Sequence, residues 1–182
     1  MTALLRPLCL MFLVMGGLTL VACEQKGTTP STVATARQKT DQRAHIDAKI
    51  REALDLPADA LLGAPERARV TTLRVSYKLT DVGAAILADP STGLKALTTL
   101  NLGETKVGDA GVAALAARDT GLKALTTLIL LGTQVGDAGA KALAAPDTGL
   151  KALATLSLRE TKVGDAGADA IKKRFPGIRI IR

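Results

Sequence analysis

The chain is poor in rings: of its 182 residues only Phe12, Tyr77 and Phe175 are aromatic, and tryptophan is absent. Without ring platforms a single-stranded nucleic acid has nothing to stack on, and a sugar-stacking cleft cannot be assembled. Histidine is as scarce, with His45 alone, and the cysteines are Cys9 and Cys23. No zinc signature, no Gly-Lys-Ser/Thr phosphate loop and no Gly-x-Ser-x-Gly elbow occurs, and no base lies in a recognisable pattern with a nucleophile. Catalytic residues, metal ligands and cofactors are therefore expected to be none. The chain does not read as an enzyme or as a nucleic-acid binder. His45 lies among Asp41, Lys49 and Arg51 and reads as a solvated surface residue.

Aliphatic residues are plentiful, and the first of them form an address. Residues 1–22 carry Arg6 ahead of an apolar run from Leu8 to Val21. The run falls short of the ~20 residues that span a bilayer, which is the layout of a secretory signal. It ends in Leu20-Val21-Ala22-Cys23, which resembles the lipobox of bacterial lipoproteins. The resemblance implies that residues 1–22 are removed, that Cys23 is lipidated, and that the chain is tethered to a membrane of the cell envelope instead of spanning it. Several acyl chains give lasting attachment where one gives only marginal binding. Cys9 leaves with the signal, so no internal disulfide can form. Glu24 after the cysteine, where Asp would favour the inner membrane, leans by the same resemblance towards the outer membrane. Residues 23–37 are small and polar without an apolar period and are expected to be a flexible tether.

The remainder is a repeat. Residues 97–124, 125–152 and 153–180 align without gaps at a period of 28, and an earlier copy over 70–96 is one residue shorter at Ser76-Tyr77. The pattern L-x-x-L-x-L-x-x-T-x-V at Leu97, Leu100, Leu102, Thr105 and Val107 resembles the leucine-rich repeat, and the length with a helical second half resembles its ribonuclease-inhibitor-like class. Thr105, Thr133 and Thr161 stand where that family usually has Asn or Cys. A hydroxyl can still serve turn backbone groups, with fewer bonds than an amide. The implied fold is α/β: a short right-handed solenoid of about four repeats over 70–182, with a parallel sheet on one face and helices on the other.

Each unit reads as strand, turn, helix and return loop. Leu100 and Leu102 alternate with Thr99, Asn101 and Gly103, the period-2 signature of a strand. In Gly108-Asp109-Ala110-Gly111 the aspartate is expected to cap its own helix, with Asp137, Asp165 and Asp81 repeating the role. Gly121 and Gly149 suit left-handed closing residues. Regular acidic oxygens also invite comparison with calcium-binding repeats, but helix starts ~10 Å apart do not gather the six to eight oxygens that calcium needs. Residues 38–69 read as an N-terminal helical cap, with Ile46, Ile50, Ala53 and Leu54 on one face, Pro57 ending the helix and Leu61-Leu62 continuing the contact. At the other end Ile178, Ile180 and Ile181 begin a fifth strand and, with Phe175, are expected to close the core.

Two surfaces emerge. In leucine-rich repeat proteins the exposed sheet side chains usually bind, which by resemblance selects Arg74, Thr99, Asn101, Thr127, Ile129, Leu131, Thr155, Ser157 and Arg159 for a protein partner, or for self-association. Ile129 and Leu131 are expected side by side in solvent near arginines, as at an interface centre. A face of roughly 250 Å² falls below the ~800 Å² per partner of a standard interface, so the loops with Glu104, Lys106, Gln134, Glu160 and Lys162 take part or binding is transient. The alternative surface is basic. From Cys23 to Asp169 there are 18 Lys/Arg and 17 Asp/Glu, whereas residues 170–182 hold Lys172, Lys173, Arg174, Arg179 and Arg182 with no acid. Those five could meet anionic envelope polymers or lipid head groups.

Overall fold

The computed structural model describes residues 30–75 and 77–182, with side chains from residue 34 onward. Two helices, α1 (Pro30–Ala53) and the single turn α2 (Ala64–Arg67), precede the repeats. Then β1 (Thr72–Arg74), α3 (Asp81–Ala88), β2 (Thr99–Asn101), α4 (Asp109–Ala116), β3 (Thr127–Ile129), α5 (Asp137–Leu143), β4 (Thr155–Ser157), α6 (Asp165–Arg174) and β5 (Arg179–Ile181) alternate. The strands form one parallel sheet in sequence order, with the helices stacked behind it. This is the α/β solenoid expected from the period. Thr72, Thr99, Thr127, Thr155 and Arg179 lie in one row, so successive steps are 27, 28, 28 and 24 residues.

The period makes the core a set of columns. Leu73, Leu100, Leu128 and Leu156 stack on the inner face of the sheet, and Leu87, Leu115, Leu143 and Ile171 stack from the helices; all are fully buried. Each such side chain stabilises by roughly 1.5–3 kcal/mol relative to exposure. Every column is aliphatic, which is why the fold manages almost without rings. Thr105, Thr133 and Thr161 each donate a hydroxyl hydrogen bond of 2.7 Å to the carbonyl three residues back, as expected of that turn position.

The aspartates do not cap their own helices. Gly108, Gly136 and Gly164 occupy the N-cap positions without a side-chain bond, and Asp109, Asp137 and Asp165 are the first helical residues. The carboxylates of Asp81, Asp109 and Asp137 reach forward to the following helix instead. Asp81 Oδ1 accepts from the Gly108 and Gly111 N–H groups at 2.7 and 2.9 Å, and Asp109 Oδ1 accepts from Gly136 and Gly139 at the same distances. Asp137 Oδ1 accepts from Gly164 at 2.8 Å. The physical reason is a close approach. Position three of each helix is glycine, and a Cβ on Gly111, Gly139 or Gly167 would lie 2.5–2.7 Å from the preceding aspartate's oxygen. The unit G-D-A-G is thus half of two joints: its glycines receive one carboxylate and its aspartate supplies the next.

The ends of this ladder are terminated differently. At the first repeat the acceptor comes from α1, where buried Gln42 takes the Thr80 N–H on Oε1 at 3.2 Å and donates Nε2 to the Lys78 carbonyl at 3.0 Å. At the last, Arg182 Nη1 donates to Asp165 Oδ1 at 2.6 Å and Nη2 to the Val163 carbonyl at 3.4 Å. A guanidinium therefore stands where amides of a following repeat would.

Other boundary expectations change in detail. Helix α1 begins at Pro30 rather than at 38, so part of the expected tether is helical; residues 34–41 are exposed there and rich in good helix formers. Ile46 and Ile50 cap the core and Leu54 packs against it, while Ala53 is exposed. The helix closes before Pro57: Asp55 is left-handed with φ 53°, and Leu56 N–H donates to the Arg51 carbonyl at 2.9 Å. Leu62 packs on the core, whereas Leu61 is 92% exposed. Gly121 and Gly149 are not left-handed. They are needed because the preceding repeat crosses them: a Cβ on Gly149 would lie 2.5 Å from the Ala117 carbonyl, and one on Gly121 3.0 Å from Pro90 Cα. The left-handed closing glycines are Gly93 and Gly177, in the outermost repeats.

Asp109→Ala should lower unfolding free energy by about 2–4 kcal/mol, because two backbone donors lose a charged acceptor. Gly139→Ala should also destabilise, although alanine ordinarily adds up to ~1 kcal/mol to a helix. Urea unfolding measures both, and a stabilised Gly139→Ala variant would contradict the close approach.

Candidate functional site: the exposed face of the sheet

Alternate strand residues point away from the core and form rows across the sheet. One row is Thr72, Thr99, Thr127, Thr155 and Arg179; the next is Arg74, Asn101, Ile129, Ser157 and Ile181. Leu131 and Arg159 extend a third row. Ser76, two residues past Arg74, lies outside the described residues. The candidate residues are therefore brought onto one face, but their exposure differs from expectation. Arg74 and Arg159 are exposed, while Thr99, Asn101, Thr127, Ile129, Leu131 and Thr155 are half-buried. Ser157 is only 8% exposed. Ile129 and Leu131 thus do not stand free in solvent. Strand neighbours ~4.8 Å apart shield one another, and Ser157 is covered because branched residues flank it on both sides.

One of those flanking residues, Ile181, belongs to the face and was expected in the core. The final step from strand to strand is 24 residues, four shorter than the period, which shifts β5 in register. Ile180 then pairs with inward Leu156 and packs on the core, and Ile181 pairs with outward Ser157. Only the shortened return distinguishes the two arrangements, and a strict 28-residue alignment does not display it. The same shift moves Arg179 from the basic end onto the sheet face, beside Thr155.

The polar members are partly committed. Asn101 Oδ1 accepts from the Gly103 N–H at 2.9 Å, closing a turn within its own strand end. Beyond the strands the chain turns through a left-handed residue at equivalent places: Glu104 with φ 58°, Gly132 with 65° and Glu160 with 56°. Glycine adopts this conformation freely, whereas a residue with a Cβ is strained there by roughly 1–2 kcal/mol. The exposed loop residues Lys106, Gln134 and Lys162 follow at the rim of the face. Tyr77 is the one exposed ring among the described residues, in the loop after β1.

The C-terminal cations are not five independent charges. Arg182 is held by Asp165, and Lys172 lies 3.6 Å from Asp169. Arg174 donates Nε to the Ala145 carbonyl at 3.2 Å and Nη2 to Pro146 at 3.4 Å, with its guanidinium 5.2 Å from the Phe175 ring centre. Lys173 and Arg179 remain, on different elements. His45 is half-buried on α1; burial first, then Lys49 and Lys78, lower its pKa below the usual 6.5. Among the described residues no three His, Cys, Asp or Glu side chains gather to hold a metal ion. No helix among those residues is long and apolar enough to cross a membrane.

Comparison with known families agrees with the geometry at the centre of the array. Residues 94–116 and 121–144 match the model described as leucine-rich repeat. The chain carries two leucine-rich repeats. They span β2 with α4 and β3 with α5, and the flanking units share their strand register and aspartate joints. Leucine-rich repeats generally serve as non-enzymatic scaffolds for protein–protein contact. No curated protein matches the chain.

The Arg182 guanidinium, bonded to Asp165, holds that carboxyl below its ordinary 3.8. Because the folded state depresses the pKa, the pair stabilises above the ordinary carboxylate range and stops doing so as pH falls through the lowered value. Arg182→Ala should therefore shift the urea midpoint down at neutral pH and leave it unchanged in strong acid. A difference that persists at low pH would mean that Arg182 acts through packing instead.

Proposed function

We propose that this chain is a non-catalytic interaction module that docks a protein partner on the exposed face of its sheet. The observation that carries the reading is the half-buried apolar group Ile129, Leu131 and Ile181 on a face whose other strand positions are Thr, Ser, Asn and Arg. A desolvated aliphatic centre with an arginine rim has the makeup of an interface core. The generally scaffold-like use of leucine-rich repeats supports it. The face is small, so the loops with Glu104, Lys106, Gln134, Glu160 and Lys162 add contact, or the encounter is transient. Docking through the C-terminal cations draws less support, since Lys172, Arg174 and Arg182 are engaged within the chain.

The module is tethered in this reading through lipidated Cys23 to a membrane of a bacterial envelope, on the outer-membrane or periplasmic side. The support is the Leu20-Val21-Ala22-Cys23 pattern behind an apolar run too short to span. These residues lie outside the described part of the structure. Cys23→Ser should abolish incorporation of labelled palmitate and move the chain out of the membrane fraction. A variant that stays with the membrane would refute the tether.

For the docking face, Ile129→Asp combined with Leu131→Asp should remove partners captured by crosslinking in intact cells, with circular dichroism unchanged. An identical set of captured proteins from the variant would exclude this face.

A further inference from the structure

The outward strand positions carry charge of one sign. Arg74, Arg159 and Arg179 project from this face, and none of its strand positions from Thr72 to Ile181 is Asp or Glu. The acids nearest in sequence to those positions, Glu104 and Glu160, fall past the strand ends in the left-handed turns.

Two of the arginines bracket the apolar row. Arg159 lies two residues beyond Ser157, just past the end of β4, and its backbone is still bonded to the neighbouring repeat, with the Gly132 N–H donating to the Arg159 carbonyl at 2.9 Å. Arg179 lies two residues before Ile181 on β5, level with Thr155. Each is therefore ~6.6 Å from the row Ile129–Ser157–Ile181 along the strand axis, on opposite sides. An extended chain repeats its same-face side chains at that spacing, every second residue.

We propose that the partner presents an extended acidic segment of the form acid-x-aliphatic-x-acid, with its aliphatic side chain on Ile129 and Ile181 and its carboxylates on Arg159 and Arg179. The proposal rests on the sheet face being the docking surface. An arginine fork pairs with a carboxylate through two parallel hydrogen bonds, and the pairing gains strength where the neighbouring surface is apolar and dry. A polyanion without aliphatic groups would leave the isoleucines uncovered, which selects a protein segment over an acidic polymer. The chain's own acids never take this form. The pairs four residues apart are Asp55 with Asp59, centred on Pro57, and Asp165 with Asp169, centred on Gly167. The occupant is therefore a different protein and not a second copy.

The test is an amide NMR titration of the full chain, held in neutral detergent micelles, with the peptide Ser-Glu-Thr-Leu-Thr-Glu-Ser. Shifts should concentrate in β3, β4 and β5. Peptides with Lys for both Glu, or Asp for Leu, should bind at least about tenfold more weakly. Arg159→Glu with Arg179→Glu should reverse the preference, so that the lysine peptide binds better. Equal binding of the Glu and Lys peptides, an unchanged preference in the double variant, or no shifts from any peptide would overturn the proposal. The crosslinking experiment separates its failure from that of the docking face. Partners that depend on Ile129 and Leu131 but show no acid preference would remove the acidic segment alone.

Discussion

Everything in this fold depends on a carboxylate crossing from one repeat to the next. Leucine columns supply most of the stabilisation, but apolar contact is non-directional and does not say how far one unit slides on its neighbour. The bonds from Asp81 to Gly108 and Gly111, and from Asp109 to Gly136 and Gly139, do say so. They tie two backbone donors at a helix start, where donors have no partner within their own helix, to a charged acceptor held by the preceding helix. The register of the helices is thereby locked to the register of the strands. The glycine at the third position is inseparable from the arrangement, because a side chain there would occupy the oxygen's place.

The exposed face of the sheet is a by-product of that lock. Once the strands are in register, side chains two residues apart on neighbouring strands form straight rows, and the chemistry of a row follows from one residue per repeat. Threonine fills the first row in four of its five places and is nearly silent, and Arg179 completes it. The second is where the repeats differ, running Arg, Asn, Ile, Ser, Ile across the sheet. Within the first four strands the copies diverge on the outer face, at Arg74, Asn101, Ile129 and Ser157, while the inner position stays leucine at Leu73, Leu100, Leu128 and Leu156. A scaffold whose constraints are internal leaves such positions open to selection by a partner.

Much of this was legible in the residues. The 28-residue period, with alternating leucines and a Gly-Asp-Ala-Gly helix start, determines strands, helices and their stacking order, since units too small to bury themselves must stack. The outward rows followed directly. The direction of the aspartate contact did not, because an aspartate at a helix start has the same sequence signature whether it serves its own amides or those ahead. Nor did the roles of Gly121 and Gly149: a glycine required by a crossing backbone and one required by a left-handed turn are the same letter. Ile181 was hidden by a four-residue shortening that moves a whole strand in register, and Leu61 by the assumption that neighbouring leucines share an environment.

The joint also bears on how such an array changes length. Every interior junction is made from the same parts, an aspartate behind and two glycines ahead, and the two ends are closed by unrelated residues, Gln42 and Arg182. A whole unit could be copied in or cut out between them, and the new neighbours would meet with matching halves. The number of members in each row, and so the breadth of the exposed sheet face, can therefore be altered by duplication while the Gln42 and Arg182 contacts stay as they are.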